Sequence, residues 1–208
     1  SHGAEVLLPM AGVIGVIYLA SIAHVLLVYG GLLGLLARLN PLRFFQGIAP
    51  ALAVAFSTSS SSGTLPVSIE CARKNLGVSQ GVAGFVLPVG ATINMDGTAI
   101  YQGVLALFIA QAFGVDLNAG QYLMIILTAT LASIGTAGVP GAGLIMLGLV
   151  LTSVGLPLEG VALIAGIDRI LDMARTTVNV AGDLMTTTLV GSSEKELDRD
   201  IYNSDNAQ

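Results

Sequence analysis

The sequence predicts an all-α membrane protein built from interrupted helices. Three observations carry that expectation: long uncharged stretches, two Ser/Gly/Pro tips set inside apolar segments, and a late helix whose charges share one face. Apolar residues make up 54% of the 208 residues and charged ones 10%, against roughly a quarter charged in an average soluble domain. Uncharged runs reach from Val6 to Ala37, from Asn75 to Met95 and from Leu117 to Leu158. Each exceeds the ~20 apolar residues that cross a bilayer.

The first span, residues 6–37, ends at Arg38-Leu39-Asn40-Pro41, where Asn and Pro stop a helix. Residues 44–74 follow as a re-entrant hairpin. Its first arm, Phe44 to Phe56, is too short to cross and runs into the tip Ser57-Thr58-Ser59-Ser60-Ser61-Ser62-Gly63-Thr64-Leu65-Pro66; a second short helix then reaches Lys74. Non-helical backbone survives at membrane depth only where protein buries it or it lines a cavity. The second span, residues 82–113, is broken at Asn94-Met95-Asp96-Gly97-Thr98. A second re-entrant hairpin, residues 121–154, carries a small-residue tip from Gly135 to Gly143 that contains Pro140. A last, polar-faced span covers 161–190, and residues 191–208 read as a polar, solvated tail.

The order of span, hairpin and polar-bearing helix occurs twice. Repetition with interrupted helices in corresponding positions points to a transporter with inverted repeats. Arg38, Arg43, Arg73 and Lys74 gather on one side, which the positive-inside rule makes cytoplasmic. The first hairpin then enters from the cytoplasm, and the tail is cytoplasmic too.

Other composition signals are narrow. The net charge of −5 is concentrated in the tail, and no nucleic-acid partner is expected. The single cysteine, Cys71, excludes an intrachain disulfide and a cysteine-rich metal site. His24 stands alone in an apolar helix and carries no evident chemistry. The chain enters an apolar span almost at once and is read as a piece of a longer protein.

The segment from Asp168 to Asp183 is the most informative. At about 100° per residue, Asp168, Asp172, Arg175, Asn179 and Asp183 fall within roughly 80° of arc. Each Asp or Arg at the centre of a membrane helix costs about 3 kcal/mol. The uncompensated total, roughly 10 kcal/mol, would rival the stability of a whole protein. The stripe therefore faces a polar interior. Arg175 suits a carboxylate held bidentately; Asp172, one turn away, suits an ammonium. Thr176 and Asn179 complete the polar contacts. The tips at Ser61, Ser62 and Val139 to Gly143 offer backbone amides and helix N-termini for a second carboxylate. Asp183 and Asp96 suit an alkali cation, which takes oxygens from carboxylates and unwound carbonyls. The groups match a zwitterionic acidic ligand. Paired intramembrane aspartates also raise an intramembrane aspartyl protease, whose two carboxylates must share a proton. Arg175 and Arg169 argue against it by holding Asp172 ionised, so no enzyme is expected. A channel fits the closed tips less well than a carrier.

The serine-rich tip ending Ser60-Ser61-Ser62-Gly63-Thr64-Leu65-Pro66, the Asn94-to-Thr98 break, the Gly135-to-Gly143 tip and the Asp172-to-Asp183 stripe occur together and in order. They closely resemble the dicarboxylate/amino acid:cation symporters, the glutamate transporter family, over nearly the whole chain to Val190. The resemblance implies the core of a transport domain, in the cell (inner or plasma) membrane among lipid, that moves as an elevator against a scaffold. The scaffold and its homotrimer contacts lie outside this chain, which begins at the family's sixth span. The implied activity is sodium-coupled symport of L-aspartate or L-glutamate. By position Arg175 and Thr98 would take the side-chain carboxylate, Asp172 the α-ammonium, and Thr176, Asn179, Ser61, Ser62, Val139 and Gly143 the α-carboxylate. Two to three sodium sites are implied: Asp183 with Gly90, Asn94 and Asn179; Thr92 with Ser133, Ile134 and Thr136; and Asn94 with Asp96. Neutral amino acid members lack an arginine at the Arg175 position, dicarboxylate members lack the aspartate at Asp172, and proton-coupled members often carry asparagine at Asp183. Proton-coupled glutamate or aspartate transport, or C4-dicarboxylate symport, is the alternative. The resemblance also implies that Arg169 replaces an arginine that archaeal members carry in the first tip.

Overall fold

The computed structural model describes residues 2–204, with side chains from Leu8 onward. The apolar run at the start forms one long helix, α1, over residues 2–37. It is α-helical over His2–Ala23 and Gly30–Leu32 and π-helical over His24–Tyr29 and Leu33–Ala37. One face buries Val13, Ile17, Tyr29 and Leu33, whereas Leu19, Leu27, Leu35 and Leu36 stay exposed. Left-handed Arg38 ends the helix. Asn40 then caps α2, Pro41–Thr58, accepting from the Leu42 amide at 3.0 Å, with Pro41 in the first turn.

Helix α3, Ser61–Lys74, packs back on α2 across the two residues 59–60. Ser60 caps it, its Oγ accepting from the Gly63 amide at 2.9 Å. Helices α4, Gln80–Ile93, and α5, Asp96–Ala112, continue one span across a break at Asn94 and Met95. Helix α6, Ala119–Ile134, starts with a capping box between Asn118 and Gln121, and α7, Ala142–Ser153, packs against it. Short α8, Glu159–Ala165, precedes α9, Asp168–Ser193, and α10, Arg199–Asn203, ends the described chain. Among the described residues there is no β-strand, only an isolated bridge between Val78 and Leu197. Two helical stretches, Leu8–Ala37 (30 residues) and Gln80–Ala112 (33 residues), are long and apolar enough to cross a membrane.

Helix α9 contributes to two apolar cores, its first turns to one and its later turns to the other. One joins Tyr29, Leu33, Phe44, Ile48, Leu76 and Leu87 to Val180 and Leu184; the other joins Val13, Ile17, Leu105, Ile109, Leu147 and Val150 to Leu171 and Ala174. The stripe residues Asp172, Arg175, Asn179 and Asp183 are all buried.

Two expectations change. The span 161–190 is not one helix: Gly166 and Ile167 separate α8 from α9, and α9 starts afresh at Asp168. Nor is the tail simply solvated. Its first residues extend α9, and the next form a strap across one end of the molecule. Asp198 N donates to Gly77 O at 2.8 Å, Arg199 Nη2 to Ala37 O at 3.1 Å, and Tyr202 Oη to Asn40 O at 2.9 Å. Gly77, left-handed at φ +71°, lets the strap pass, since a Cβ there would collide with the Asp198 carbonyl. These three bonds, all to backbone carbonyls, replace hydrophobic periodicity, so the pattern of the sequence carried no sign of the strap. Asp205 lies outside the described residues.

Candidate functional site

The site forms where the α4–α5 break, the two helix-pair tips and the middle of α9 converge. The break leaves the first amides of α5 without helical partners, and Met95 at its N-cap supplies no side-chain oxygen. Asn179 of α9 takes that role, its Oδ1 accepting from Gly97 N at 2.8 Å and Thr98 N at 3.3 Å. Its Nδ2 donates to Thr98 Oγ1 at 3.1 Å, and Arg175 Nη1 donates to the same oxygen at 3.0 Å. Gly97 makes this close approach possible. A Cβ there would overlap the Arg175 carbonyl and sit 2.9 Å from Val178 Cβ. Gly97→Ala is expected to lower stability by about 1–3 kcal/mol and to weaken ligand binding; unchanged thermal unfolding would reject this contact.

Asp172 and Arg175 form a buried ion pair, with Nη2 at 2.5 Å and Nε at 2.7 Å from the same carboxylate oxygen. Both residues are 2% exposed. The second Asp172 oxygen accepts from Gly141 N, in the link between α6 and α7, at 2.8 Å. Thr176 Oγ1 lies 3.4 Å from the first. The sequence assigned these two charges to a ligand; here each partners the other, which keeps either charge from standing alone in an apolar interior.

The tips meet directly. Ser62 N and Ser60 Oγ both donate to Gly138 O, at 3.1 and 2.9 Å. Ser61 is buried beside them, Val139 is exposed, and Gly143 packs against the Arg175 side chain. Arg169 Nη2 donates to Ser57 O at 2.5 Å and Nη1 to Thr58 O at 3.5 Å, tying α9 to the carbonyl end of α2.

Of the set expected around Asp183, Gly90 and Asn94 lie at its carboxylate, whereas Asn179 bonds to Gly97 and Thr98 at the α5 start. Asp183 Oδ1 accepts from Asn94 Nδ2 at 3.0 Å and faces Gly90, where a Cβ would stand 2.7 Å from that oxygen. Asp183 is buried. Thr92, Ser133 and Thr136 each turn their hydroxyl to a carbonyl of their own helix or its last turn, Val89, Thr130 and Ala132. Among the described residues no three His, Cys, Asp or Glu side chains cluster.

Three contacts escaped sequence reading. Asp96 Oδ2 accepts from Tyr29 Oη at 2.9 Å and lies 3.3 Å from His24 Nε2, whose ring packs edge-on against Tyr29. His24 is therefore not isolated. The π-helical turn aligns i with i+5, whereas an α-helix would set these residues about 140° apart. The third contact is Tyr101 Oη, which donates to Asp168 Oδ1 at 2.5 Å.

Broken apolar helices thus close around a charged interior whose Asp172 and Arg175 neutralise each other. The chain belongs to the sodium:dicarboxylate symporter family, whose profile matches residues 1–193. It is 48% identical to human excitatory amino acid transporter 2 over 187 residues, which is 87% of this chain and 33% of that protein. Mouse excitatory amino acid transporter 3 is 52% identical over 177 residues, 85% of the chain and 34% of that protein. An excitatory amino acid transporter of Caenorhabditis elegans is 55% identical over 151 residues, 73% of the chain and 30% of that protein. The chain thus spans about a third of the length of these curated relatives. Family membership places it in a membrane and couples the family to sodium.

Proposed function

We propose that the protein is a sodium-coupled symporter of L-aspartate or L-glutamate, working by an elevator movement of this domain. The observation that carries the reading is the buried Asp172–Arg175 pair, closed over by Gly141. A ligand with both a carboxylate and an ammonium replaces each member of that pair with its own group of like sign. The guanidinium exchanges the Asp172 carboxylate for the side-chain carboxylate of the ligand, helped by Thr98. Asp172 exchanges the guanidinium for the α-ammonium. No buried charge loses its partner, which avoids the penalty of several kcal/mol for an orphaned ion. Thr176, Asn179 and the tip backbones around Ser61, Ser62, Val139 and Gly143 take the α-carboxylate. Because Gly141 donates to Asp172, occupancy is coupled to the α6–α7 link, the outer gate in this reading.

Sodium would bind as cargo at Asp183 with Gly90, Asn94 and Asn179. A second site uses Thr92, Ser133, Ile134 and Thr136, and a third uses Asn94 and Asp96. The pairs α2/α3 and α6/α7 act as re-entrant hairpins in an inverted repeat, and the strap lies on the cytoplasmic side. Trimer contacts come from helices outside this chain. The names of the relatives support the substrate class.

Asp172→Asn separates amino acid from dicarboxylate transport. It should weaken L-aspartate far more than succinate in competition binding to the full-length protein. Undiminished aspartate affinity would remove the ammonium role.

A further inference from the structure

The phenol of Tyr29 joins α1 to the start of α5, and the proposed symport gives it no role. Tyr29 is fully buried, and its hydroxyl donates to Asp96 Oδ2 at 2.9 Å. His24 Nε2 stands 3.3 Å from the same oxygen, and the His24 and Tyr29 rings pack edge-on at 4.8 Å. A backbone acceptor, Val178 O, lies 3.4 Å from the hydroxyl. A buried phenol needs one hydrogen-bond partner; this one takes the carboxylate, at the shorter distance.

Three local features admit that contact. Helix α1 is π-helical over His24–Tyr29, a form that is rare and frequent at functional sites. Helix α9 carries a glycine where the phenol approaches. A Cβ on Gly182 would stand 2.6 Å from Tyr29 Oη and 2.9 Å from Asn94 Nδ2. Glycine weakens a helix interior relative to alanine, and close approach of these two polar groups is its use here. The third feature is that Asp96 turns away from its own helix. An acidic residue at a helix start ordinarily serves the free amides of the first turn. In α5 the Asn179 side chain accepts from Gly97 N and Thr98 N instead.

Among the described residues both contacts to the Asp96 carboxylate fall on Oδ2, and the side chain stays 39% exposed. A neutral O–H donor orients a carboxylate without neutralising it. A lysine or arginine in its place would fix the group but repel an arriving cation. The phenol leaves Oδ1 and the negative charge available to an ion, as hydrogen-bond partners of metal-binding carboxylates do.

We propose that Tyr29 is a positioning residue for sodium: it holds the Asp96 carboxylate in the orientation that receives the ion. The proposal rests on the reading of Asp96 as a cation ligand. Tyr29 acts through Asp96 and touches neither the amino acid nor the ion.

The test follows the sodium dependence of L-aspartate binding to the full-length protein in the parent, Tyr29→Phe, Asp96→Asn and the double variant. Tyr29→Phe keeps the buried ring and removes only the oxygen. Its sodium midpoint should rise about tenfold, the lower end of the loss when a partner that orients a metal-binding group is removed. Aspartate affinity at saturating sodium should stay close to that of the parent, a split that a general loosening of the fold would not give. In the Asp96→Asn background the same substitution should add nothing, because its effect runs through the carboxylate. An unchanged sodium curve in Tyr29→Phe, while Asp96→Asn shifts it, overturns the positioning role and leaves Asp96 as a cation ligand. A Tyr29→Phe shift that persists in full beside Asp96→Asn also overturns it. If neither single variant moves the curve, the cation reading of Asp96 fails together with the proposal.

Discussion

Arg175→Ala is expected to reduce binding of L-aspartate and L-glutamate to the full-length protein by two to three orders of magnitude. Removing one member of a buried, hydrogen-bonded charge pair costs about 3–5 kcal/mol, and each 1.4 kcal/mol is about tenfold in affinity. The guanidinium has three contacts to lose: two to Asp172 and one to Thr98 Oγ1. The variant also leaves Asp172 as an uncompensated charge at 2% exposure, so its stability should fall with its affinity. The two effects separate in Arg175→Ala/Asp172→Asn, which restores neutrality. The double variant should melt close to the parent yet still fail to bind. Arg175→Lys keeps the charge without the planar fork and should recover only part of the affinity. Full affinity in the alanine variant, measured by isothermal titration, rejects the carboxylate assignment.

The second large effect is expected at Asp183. Its carboxylate is buried, accepts from Asn94 and faces the Gly90 backbone, with no cationic side chain bonded to it among the described residues. In the proposed reading sodium, the cation of the family's name, supplies the opposite charge there. Asp183→Asn removes the charge and keeps the shape. The sodium dependence of aspartate binding should shift to higher concentration by about tenfold or more, the scale of one lost charge-assisted contact of 1.5–3 kcal/mol. An unchanged sodium curve removes Asp183 from the cation site. Gly90→Ala is a milder probe of the same place. Its Cβ must displace the Asp183 carboxylate, so it should shift the sodium curve in the same direction while retaining the charge.

Part of this arrangement was legible in the sequence. The α9 stripe follows from 3.6-residue periodicity, and Arg175 and Asn179 reach Gly97 and Thr98 at the α5 start. The break at Asn94 and Met95 and the two Ser/Gly tips follow from residues that interrupt helices. What stayed hidden has definite physical causes. Asp172 and Arg175 are an i, i+3 pair, a spacing that always permits mutual contact, but a reading aimed at a ligand gave each to the ligand instead. His24 and Tyr29 reach Asp96 only because α1 turns π-helical there, and no composition signal marks that turn. Gly141, the amide that closes on Asp172, has no side chain to announce it. The strap from Glu196 to Ser204 is held mainly by backbone carbonyls of Ala37, Asn40 and Gly77, groups that every sequence possesses. Periodicity reports side chains that share a face; it is silent about backbone bonds and about which distant helix supplies a cap.

The central claim is that one site binds an acidic amino acid and sodium together. It is tested most directly by titrating L-aspartate into the purified full-length protein, once in sodium chloride and once in choline chloride, and following heat or thermal shift. Binding in sodium and none in choline is the predicted result. Equal binding in both salts would contradict the coupling, and no binding in either from a demonstrably folded protein would contradict the substrate.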